Sequence, residues 1–424
     1  MPRPAAGVAA LLSTALLVAT ACTGSADVPV QPHRTVNIGF LAPVSGPVAT
    51  VGTDTRRGAE LAVEIVNGRY PIPLPLAKGA GLPRLHNARI KLLVADTHGS
   101  ATRGAAEVEQ LASDGQAVAI VGGYESAVTE ASSARSEKLK IPFVNGGSSA
   151  SSLTERGLDW FFRTGPSELD YGRVVFSLLK ERQSTGTSVR RIAVIHQDDQ
   201  YGNDGAAMIK RLASHVDGHV VADVAVESGT EGLVAPARAV AEEEPDVVLT
   251  LLYTAQALAL QESFRSLAYR PKALIAFGGG HADPAFLRKA RAGAEGVCSR
   301  FAWSADLAER NPTAKAVADL YWKHYRAPMN DDAARAFTAV MTLAQAINSA
   351  GSREPADIRS ALVNTDVPGR DTIMPWDGVK FDDNHQNIGA RGIVEQVHAG
   401  RYRLVYPYDV AQAQLEWPMT GDGW

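Results

Sequence analysis

Cysteine is nearly absent from this 424-residue chain, which contains only Cys22 and Cys298. Two cysteines cannot build a disulfide framework, so we expect stability to come from burial of the apolar residues, which make up 45% of the chain. Cys298 lies in a short apolar segment and is expected to be a buried, inert thiol.

Strong charge and catalytic signatures are also lacking. The formal net charge is only −4, and lysine and arginine are scattered, so nucleic acid is not an expected partner. The sequence has no nucleophile elbow, no His-Glu-x-x-His, no phosphate loop and no Cys-x-x-Cys. We therefore expect no catalytic residues, no cofactor and no metal site. An enzyme would convert its bound molecule, and recovery of that molecule unchanged would exclude this class.

The sequence has no apolar run long enough to span a bilayer, but residues 1–22 are typical of an export signal. Arg3 supplies positive charge, residues 9–19 form a short apolar run, and small residues precede Cys22. This stretch resembles the bacterial lipobox, which implies lipidation of Cys22 and a membrane anchor; ordinary secretion with cleavage nearby is the alternative. Residues 23–35 contain little that could pack and are predicted to be a flexible tether.

Strand-like apolar runs alternate with helical patterns along the rest of the chain. The runs are residues 36–41, 90–95, 117–121, 141–144, 191–195, 220–224, 246–252 and 273–277. The helical patterns include residues 55–67, 103–113, 203–214, 235–244 and 255–267. This alternation predicts an α/β fold in which helices cover both faces of parallel sheets.

Eight such strands are more than a single sheet and core of ordinary size would contain, and the alternation restarts after residues 161–167. We therefore predict two Rossmann-like lobes, with the Gly165-Pro166 pair at a crossover between them. Residues 67–87 are too rich in proline for a regular element and are predicted to be a surface excursion.

Two corners rich in glycine and serine, residues 121–129 and 141–149, each end an apolar strand and open a helix. An uncapped helix start presents unpaired amides and a partial positive charge, while glycine allows close approach of a ligand. Open parallel sheets bind ligands beyond the carboxyl ends of their strands. These corners could therefore hold one carboxylate without any lysine or arginine.

The order and spacing of several short segments resemble one known family. The segments are residues 41–47, 52, 57–62, 120–129, 153–157, 162–164, 196–202 and 294–296. Together they resemble the branched-chain amino acid (leucine/isoleucine/valine-type) periplasmic binding proteins of type I fold. The resemblance implies two lobes joined by three crossovers that close over a small solute. Lobe 1 would comprise residues 36–164 and 301–391, and lobe 2 residues 165–300 and 392–424.

The resemblance also implies roles for individual residues. Ser126, Gly147 and Ser149 correspond to the family's ligand-carboxylate residues, and Tyr201 and Tyr253 to aromatics that close over the ligand. The full candidate set for ligand binding is Tyr124, Ser126, Gly147, Ser148, Ser149, Tyr201, Tyr253, Gly279 and His281. The alternatives are that the serines only cap helices, that the Ser148 hydroxyl faces away, and that the tyrosines and His281 serve packing or solvated loops.

One position departs from the family pattern. Where amino-acid binders of the family carry a glutamate for the ligand ammonium, this chain has Gly279. A buried ammonium without a counter-ion is costly, so leucine, isoleucine and valine are predicted to bind poorly. The ligand would then be a carboxylate, amide or heterocycle without an ammonium, unless a nearby side chain replaces the missing charge. Four side chains could do so: Glu125, Glu168, His281 and Asp283.

The function that these features favour is an extracytoplasmic solute-binding lipoprotein of an ABC importer. Its expected partners are a small polar or carboxylate-bearing solute, the permease subunits and the membrane that holds its lipid anchor; we expect a monomer. A ligand-sensing lipoprotein that signals to a membrane receptor is the alternative, and no residue pattern separates the two.

Overall fold

The computed structural model describes residues 35–230 and 232–420. The predicted signal segment, Cys22 and nearly all of the predicted tether lie outside the described residues. No helix among the described residues is long and apolar enough to cross a membrane.

Strands and helices are numbered here in chain order. The strands are β1 Thr35–Ala42, β2 Arg89–Asp96, β3 Ile120–Gly122, β4 Phe143–Asn145, β5 Phe161–Arg163, β6 Arg191–Gln197, β7 His219–Val226, β8 Val247–Leu251, β9 Leu274–Ala276, β10 Cys298–Phe301, β11 Asp366–Pro368, β12 Gly378–Lys380, β13 Ile393–His398 and β14 Arg401–Tyr406. The helices are α1 Ala49–Asn67, α2 Ala101–Ser113, α3 Ser126–Leu139, α4 Glu168–Ser184, α5 Gln200–Leu212, α6 Val234–Glu242, α7 Thr254–Ser266, α8 Pro284–Ala290, α9 Ala305–Ala308, α10 Pro312–Tyr325, α11 Asp331–Ala350 and α12 Pro355–Val363.

The first sheet has five strands in the order β2-β1-β3-β4-β5, and every pairing in it is parallel. Its strands are apolar because both faces are covered, and Ile38, Phe40, Val121 and Val144 are almost fully buried. Helix α11, from far along the chain, packs on α1 and on β3 and β4. This packing brings the start of α11 to the same end of the sheet as the two glycine-serine corners.

The second sheet has seven strands in the order β14-β13-β10-β9-β8-β6-β7. Strands β6 to β10 pair in parallel, but β13 runs antiparallel to β10, and β14 antiparallel to β13. The expectation of purely parallel sheets is therefore corrected at this edge. A two-residue hairpin at Ala399 and Gly400, whose φ angles of 51° and 75° suit a tight turn between twisted antiparallel strands, makes β14 antiparallel to β13.

The chain passes between the sheets three times. It leaves the five-stranded sheet after β5, returns with α10 and α11, which pack against α1, and joins the seven-stranded sheet again at β13. The α/β fold with two sheet-based lobes is confirmed. The exact lobe boundaries given above stay a prediction.

Two smaller expectations concern residues 67–87 and Cys298. After Asn67, which ends α1, the proline-rich stretch forms only one 3-10 turn, Pro83–Leu85, yet Ile72, Leu74 and Leu82 in it are buried. Cys298 is 2% exposed, and burial raises the pKa of its thiol. This thiol is therefore the buried, inert group that the sequence predicted.

Candidate ligand-binding cleft

A cavity lies where the carboxyl ends of the strands of the two sheets face each other. Its lining residues are Tyr124, Ser126, Gly147, Ser149, Tyr201, Tyr253, Gly278, Gly279, Ala282, Arg300, Asp331, Asp332 and Arg335. The lining contains seven of the nine candidate residues, all except Ser148 and His281. The fold thus brings together candidate residues that are up to 155 positions apart, from Tyr124 to Gly279.

The first wall is the start of α3. Glu125 occupies the cap position but makes no side-chain cap hydrogen bond, so no side chain satisfies the first amides of the helix. The hydroxyl of Ser126 instead accepts a hydrogen bond from the amide of Ala150 at 3.3 Å, which joins the two corners. Ser126 therefore does not act as a helix cap, and the start of α3 has the electrostatic character of an anion site.

The second wall is the corner after β4, which lies directly against the first. A side chain at Gly147 would place its Cβ 2.6 Å from the carbonyl oxygen of Gly123, so only glycine permits this approach. The hydroxyl of Ser148 donates to the carbonyl of Tyr124 at 3.0 Å and lies 2.6 Å from Thr129 Oγ1. Ser148 is thus turned away from the cavity and fastens the corners together.

Arg300 at the end of β10 reaches the second corner. Its Nη2 donates to Ser149 Oγ at 3.1 Å and to Glu168 Oε1 at 3.2 Å, and the Ser149 hydroxyl donates to Glu168 Oε1. Arg300 is 4% exposed and Glu168 is fully buried. Burial raises the pKa of Glu168, while the adjacent guanidinium of Arg300 opposes this shift. The sequence argument required no arginine at this corner, whereas the structure places one there.

A row of three tyrosines forms a further wall. The ring centroids are 5.6 Å apart for Tyr201 and Tyr253, and 6.3 Å apart for Tyr253 and Tyr124. The Tyr201 hydroxyl donates to the carbonyl of Phe277 at 2.8 Å, and burial raises the pKa of all three phenols. These side chains give the cavity an apolar surface with polar tips.

An acidic pair with one arginine occupies the first turn of α11. Arg335 Nε donates to Asp331 Oδ2 at 2.8 Å, its Nη2 donates to Asp332 Oδ1, and its Nη1 donates to the carbonyls of Gly146 and Gly147 at 3.0 and 2.5 Å. Burial is the main cause that raises the pKa of Asp332 to about 7. Because Arg335 engages these carbonyls, it holds the second corner in place.

Gly278 and Gly279 have positive φ angles of 76° and 56°. A Cβ at Gly279 would lie 2.9 Å from Tyr201 Oη, and one at Gly278 would lie 2.7 Å from Arg300 Nη1. The two glycines therefore leave space for Tyr201 and Arg300.

The four side chains considered as replacement charges are placed less favourably. His281 is 2% exposed, packs on Phe286, and burial lowers its pKa to about 3, so it is neutral at physiological pH. Asp283 caps α8 through the amide of Ala285 at 2.8 Å. Glu168 is paired with Arg300, and none of His281, Asp283, Glu125 and Glu168 lines the cavity.

Comparison with known proteins decides the family. A family model described as periplasmic binding protein matches residues 35–401. The chain belongs to the periplasmic binding protein family. Proteins of this family bind solutes rather than catalyse reactions, are located outside the cytoplasm and work with ABC transporter permeases. No cluster of metal-ligating side chains occurs among the described residues.

Similar periplasmic binding proteins span nearly the whole chain. Leu/Ile/Val-binding protein homolog 7 of Brucella suis is 25% identical over 417 residues, covering 96% of this chain and 98% of that protein. Homolog 8 of Brucella abortus is 27% identical over 392 residues, covering 90% of this chain and 92% of that protein.

Solved structures share the fold. The branched-chain amino acid transporter substrate binding protein LivJ of Streptococcus pneumoniae, in complex with isoleucine, has a TM-score of 0.73 and 21% identity, covering 87% of this chain and 98% of that chain. A solute binding protein from R. palustris in complex with benzoate has a TM-score of 0.73 and 17% identity, covering 92% and 98%. The predicted resemblance to this family is confirmed.

Proposed function

We propose that this protein is the extracytoplasmic, lipid-anchored solute-binding component of an ABC importer, which captures a small polar or carboxylate-bearing solute between its two lobes. The observation that carries the proposal is the cavity itself. Two glycine-serine corners from one sheet and tyrosines from the other converge on one buried space.

The corners supply the recognition of a carboxylate. The uncapped start of α3 provides amide donors and a partial positive charge, and Gly147 allows an oxygen to approach the main chain. A hydrogen bond between such a donor and a charged acceptor contributes about 1.5 to 3 kcal/mol.

Closure of the lobes would be the signal to the permease. If the open form dominates about 99 to 1 without solute, reversing that ratio takes about 5.5 kcal/mol of preferential binding to the closed form. Contacts that join the two sides support this closed form: the amide of Glu168 donates to the carbonyl of Ser149 at 2.6 Å, and the amide of Ser152 donates to Asp204 Oδ2 at 2.9 Å. Tyr201 and Tyr253 would cover the solute.

The ligands of two similar structures support a carboxylate-bearing solute without fixing its identity. The LivJ structure holds isoleucine and the R. palustris structure holds benzoate, so this fold accommodates both an amino acid and an aromatic acid. In this chain the two acids that line the cavity, Asp331 and Asp332, are both already hydrogen-bonded to Arg335. The prediction that leucine, isoleucine and valine bind poorly therefore stands.

The test begins with mass spectrometry of small molecules released from the purified full-length protein by denaturation. We expect one small carboxylate-bearing molecule, recovered chemically unchanged after prolonged incubation with the native protein. Uptake of that molecule by cells should then require both this protein and the permease. A molecule converted during incubation would contradict the proposal, and uptake that is unaffected by loss of the protein would favour a sensor instead.

A further inference from the structure

We propose that Arg300 recognises the acidic group of the solute, so that the cleft selects free acids over the corresponding amides. This inference rests on the proposed function and names the substrate class and the residue that determines it. It departs from the expectation that main-chain amides and serine hydroxyls alone would hold the carboxylate.

The hydrogen bonds of the Arg300 guanidinium are incomplete. Nη2 serves Ser149 and Glu168, whereas Nε is buried and has no hydrogen-bond partner. Among the described residues, no acceptor bonds to Nη1 either. Arginine carries five N–H donors, and a buried donor without an acceptor is unfavourable. A guanidinium with unused donors on the wall of a cavity is suited to bind an anionic ligand.

The Ser149 hydroxyl is not an equivalent donor. Its proton is directed to Glu168 Oε1, while its oxygen accepts from Arg300 Nη2. A serine hydroxyl has only one proton to donate. Ser149 therefore positions Arg300, and the side-chain donor that remains for a solute at this corner is the guanidinium.

The surroundings of Arg300 hold the guanidinium in one place. Its central carbon lies 3.6 Å from the centroid of the Tyr171 ring, a favourable stacking geometry for arginine. On another side, Gly278 leaves the space that Nη1 occupies, because a Cβ there would lie only 2.7 Å away. Because the guanidinium is already held in one orientation, the Arg300 side chain loses less conformational entropy when a solute binds.

Glu168 is the counter-ion of Arg300, but its own hydrogen bonds are incomplete. It accepts hydrogen bonds through Oε1, while its Oε2 is buried without a partner. Glu168 therefore competes with an acidic solute for the same guanidinium. Its removal should strengthen binding of acids, whereas removal of both charges should abolish the preference for acids.

The experiment measures binding by calorimetry for matched probes: benzoate against benzamide, and 4-methyl-2-oxopentanoate against its amide. The wild type should bind at least one acid, about tenfold or more tightly than its amide. Glu168→Gln should bind that acid more tightly still. Glu168→Gln combined with Arg300→Gln should lose the difference between acid and amide, and this neutral pair avoids a single unpaired buried charge. A Ser132→Ala variant, which alters a buried serine outside the cavity, should behave as wild type.

Three results would each overturn the assignment of Arg300. They are equal binding of acids and amides, weaker acid binding by Glu168→Gln, and no binding of either acid by the wild type. Binding of amides alone would leave the solute-binding function intact, because only the chemical class would be wrong. Failure of that function is distinguished by the absence of any copurifying molecule together with uptake that does not depend on the protein.

Discussion

At the scale of single residues, the cleft depends on side chains that hold other side chains. Ser148 fastens the two corners, Ser149 connects Arg300 to Glu168, and Arg335 fixes the carbonyls of the second corner. These groups are buried and bonded, so the ligand-facing donors are positioned before a solute arrives. Such preorganisation reduces the cost of ordering the site on binding.

The first prediction concerns the two corner serines. Ser126→Ala combined with Ser149→Ala should weaken binding of the copurifying solute by about 1 to 3 kcal/mol, because the corners lose the bond to Ala150 and the support of Arg300. The circular dichroism spectrum should stay unchanged. If calorimetry gives the double variant the same dissociation constant as the wild type, the solute binds at a different site.

The second prediction concerns the pH dependence of stability. Glu125 is 8% exposed, and burial raises its pKa from 4.5 to about 7. Because the pKa of Glu125 is higher in the folded state than in the unfolded state, the folded state binds a proton at this carboxyl more tightly. Protonation of Glu125 therefore stabilises the folded state at low pH, and this stabilisation is lost as pH rises from about 4.5 through 7. Glu125→Gln should therefore reduce the loss of unfolding free energy between these pH values by on the order of 3 kcal/mol.

Urea unfolding at several pH values measures this effect. Glu130→Gln, at an exposed position on the same helix, serves as the control and should keep the wild-type pH profile. Parallel profiles for wild type and Glu125→Gln would contradict the argument.

The residues predicted from the sequence were those that follow apolar strands directly. Ser126, Gly147, Tyr201 and Tyr253 belong to this group, and all four line the cavity. Arg300 and Asp332 were missed for a physical reason. Arg300 lies in β10, just after the short apolar segment around Cys298, which was not counted among the eight predicted strand runs. The acid-arginine spacing at the start of α11 also occurs on many exposed helices. Their importance comes from tertiary packing, which sequence periodicity does not report.

At the scale of elements, the cleft depends on the close approach of the α3 and β4 corners. Gly147 makes this approach possible, and Gly123, with a φ of 77°, turns the chain so that Thr129 can reach Ser148. Glycine is therefore required at this point by packing as well as by backbone conformation.

The third prediction tests that packing. Gly147→Ala should push the corners apart, lower the unfolding free energy by about 1 to 3 kcal/mol and weaken solute binding. Gly232→Ala is the matched control, since no atom lies within 4 Å of a Cβ at that position. Thermal unfolding and calorimetry on both variants measure the effects, and equal behaviour of the two would show that the close approach is dispensable.

The sequence predicted elements well where strands alternate with helices. All eight predicted strand runs overlap the observed strands β1 to β4 and β6 to β9. It did not reveal β5, because the apolar run there, residues 160–162, is shorter than the runs of the strands that were predicted. It also missed the antiparallel pair β13 and β14, because a hairpin rather than strand-helix alternation joins these two strands.

At the scale of the whole molecule, two sheets present their carboxyl ends to one enclosed space. The chain crosses between them three times, and one buried apolar cluster includes residues of both sheets. The fold class followed from the alternation, while the closed arrangement of the lobes depends on contacts between residues distant in sequence.

The fourth prediction concerns the attachment of the molecule to the membrane. Cys22, outside the described residues, is the proposed lipidation site. Cys22→Ala should move the protein from the membrane fraction to the soluble fraction and abolish labelling by radioactive palmitate. Cys298→Ala should leave both unchanged, because that thiol is buried. Retention of the Cys22→Ala protein in the membrane fraction would contradict lipid anchoring at this position.

The most direct measurement for the central claim is native mass spectrometry of the purified protein, which detects a solute retained between the lobes. We predict that the wild type carries one small adduct and that the adduct is lost when Ser126→Ala is combined with Arg300→Gln and Glu168→Gln. An adduct that persists in this variant would show that the solute binds outside the cleft, and would contradict the account.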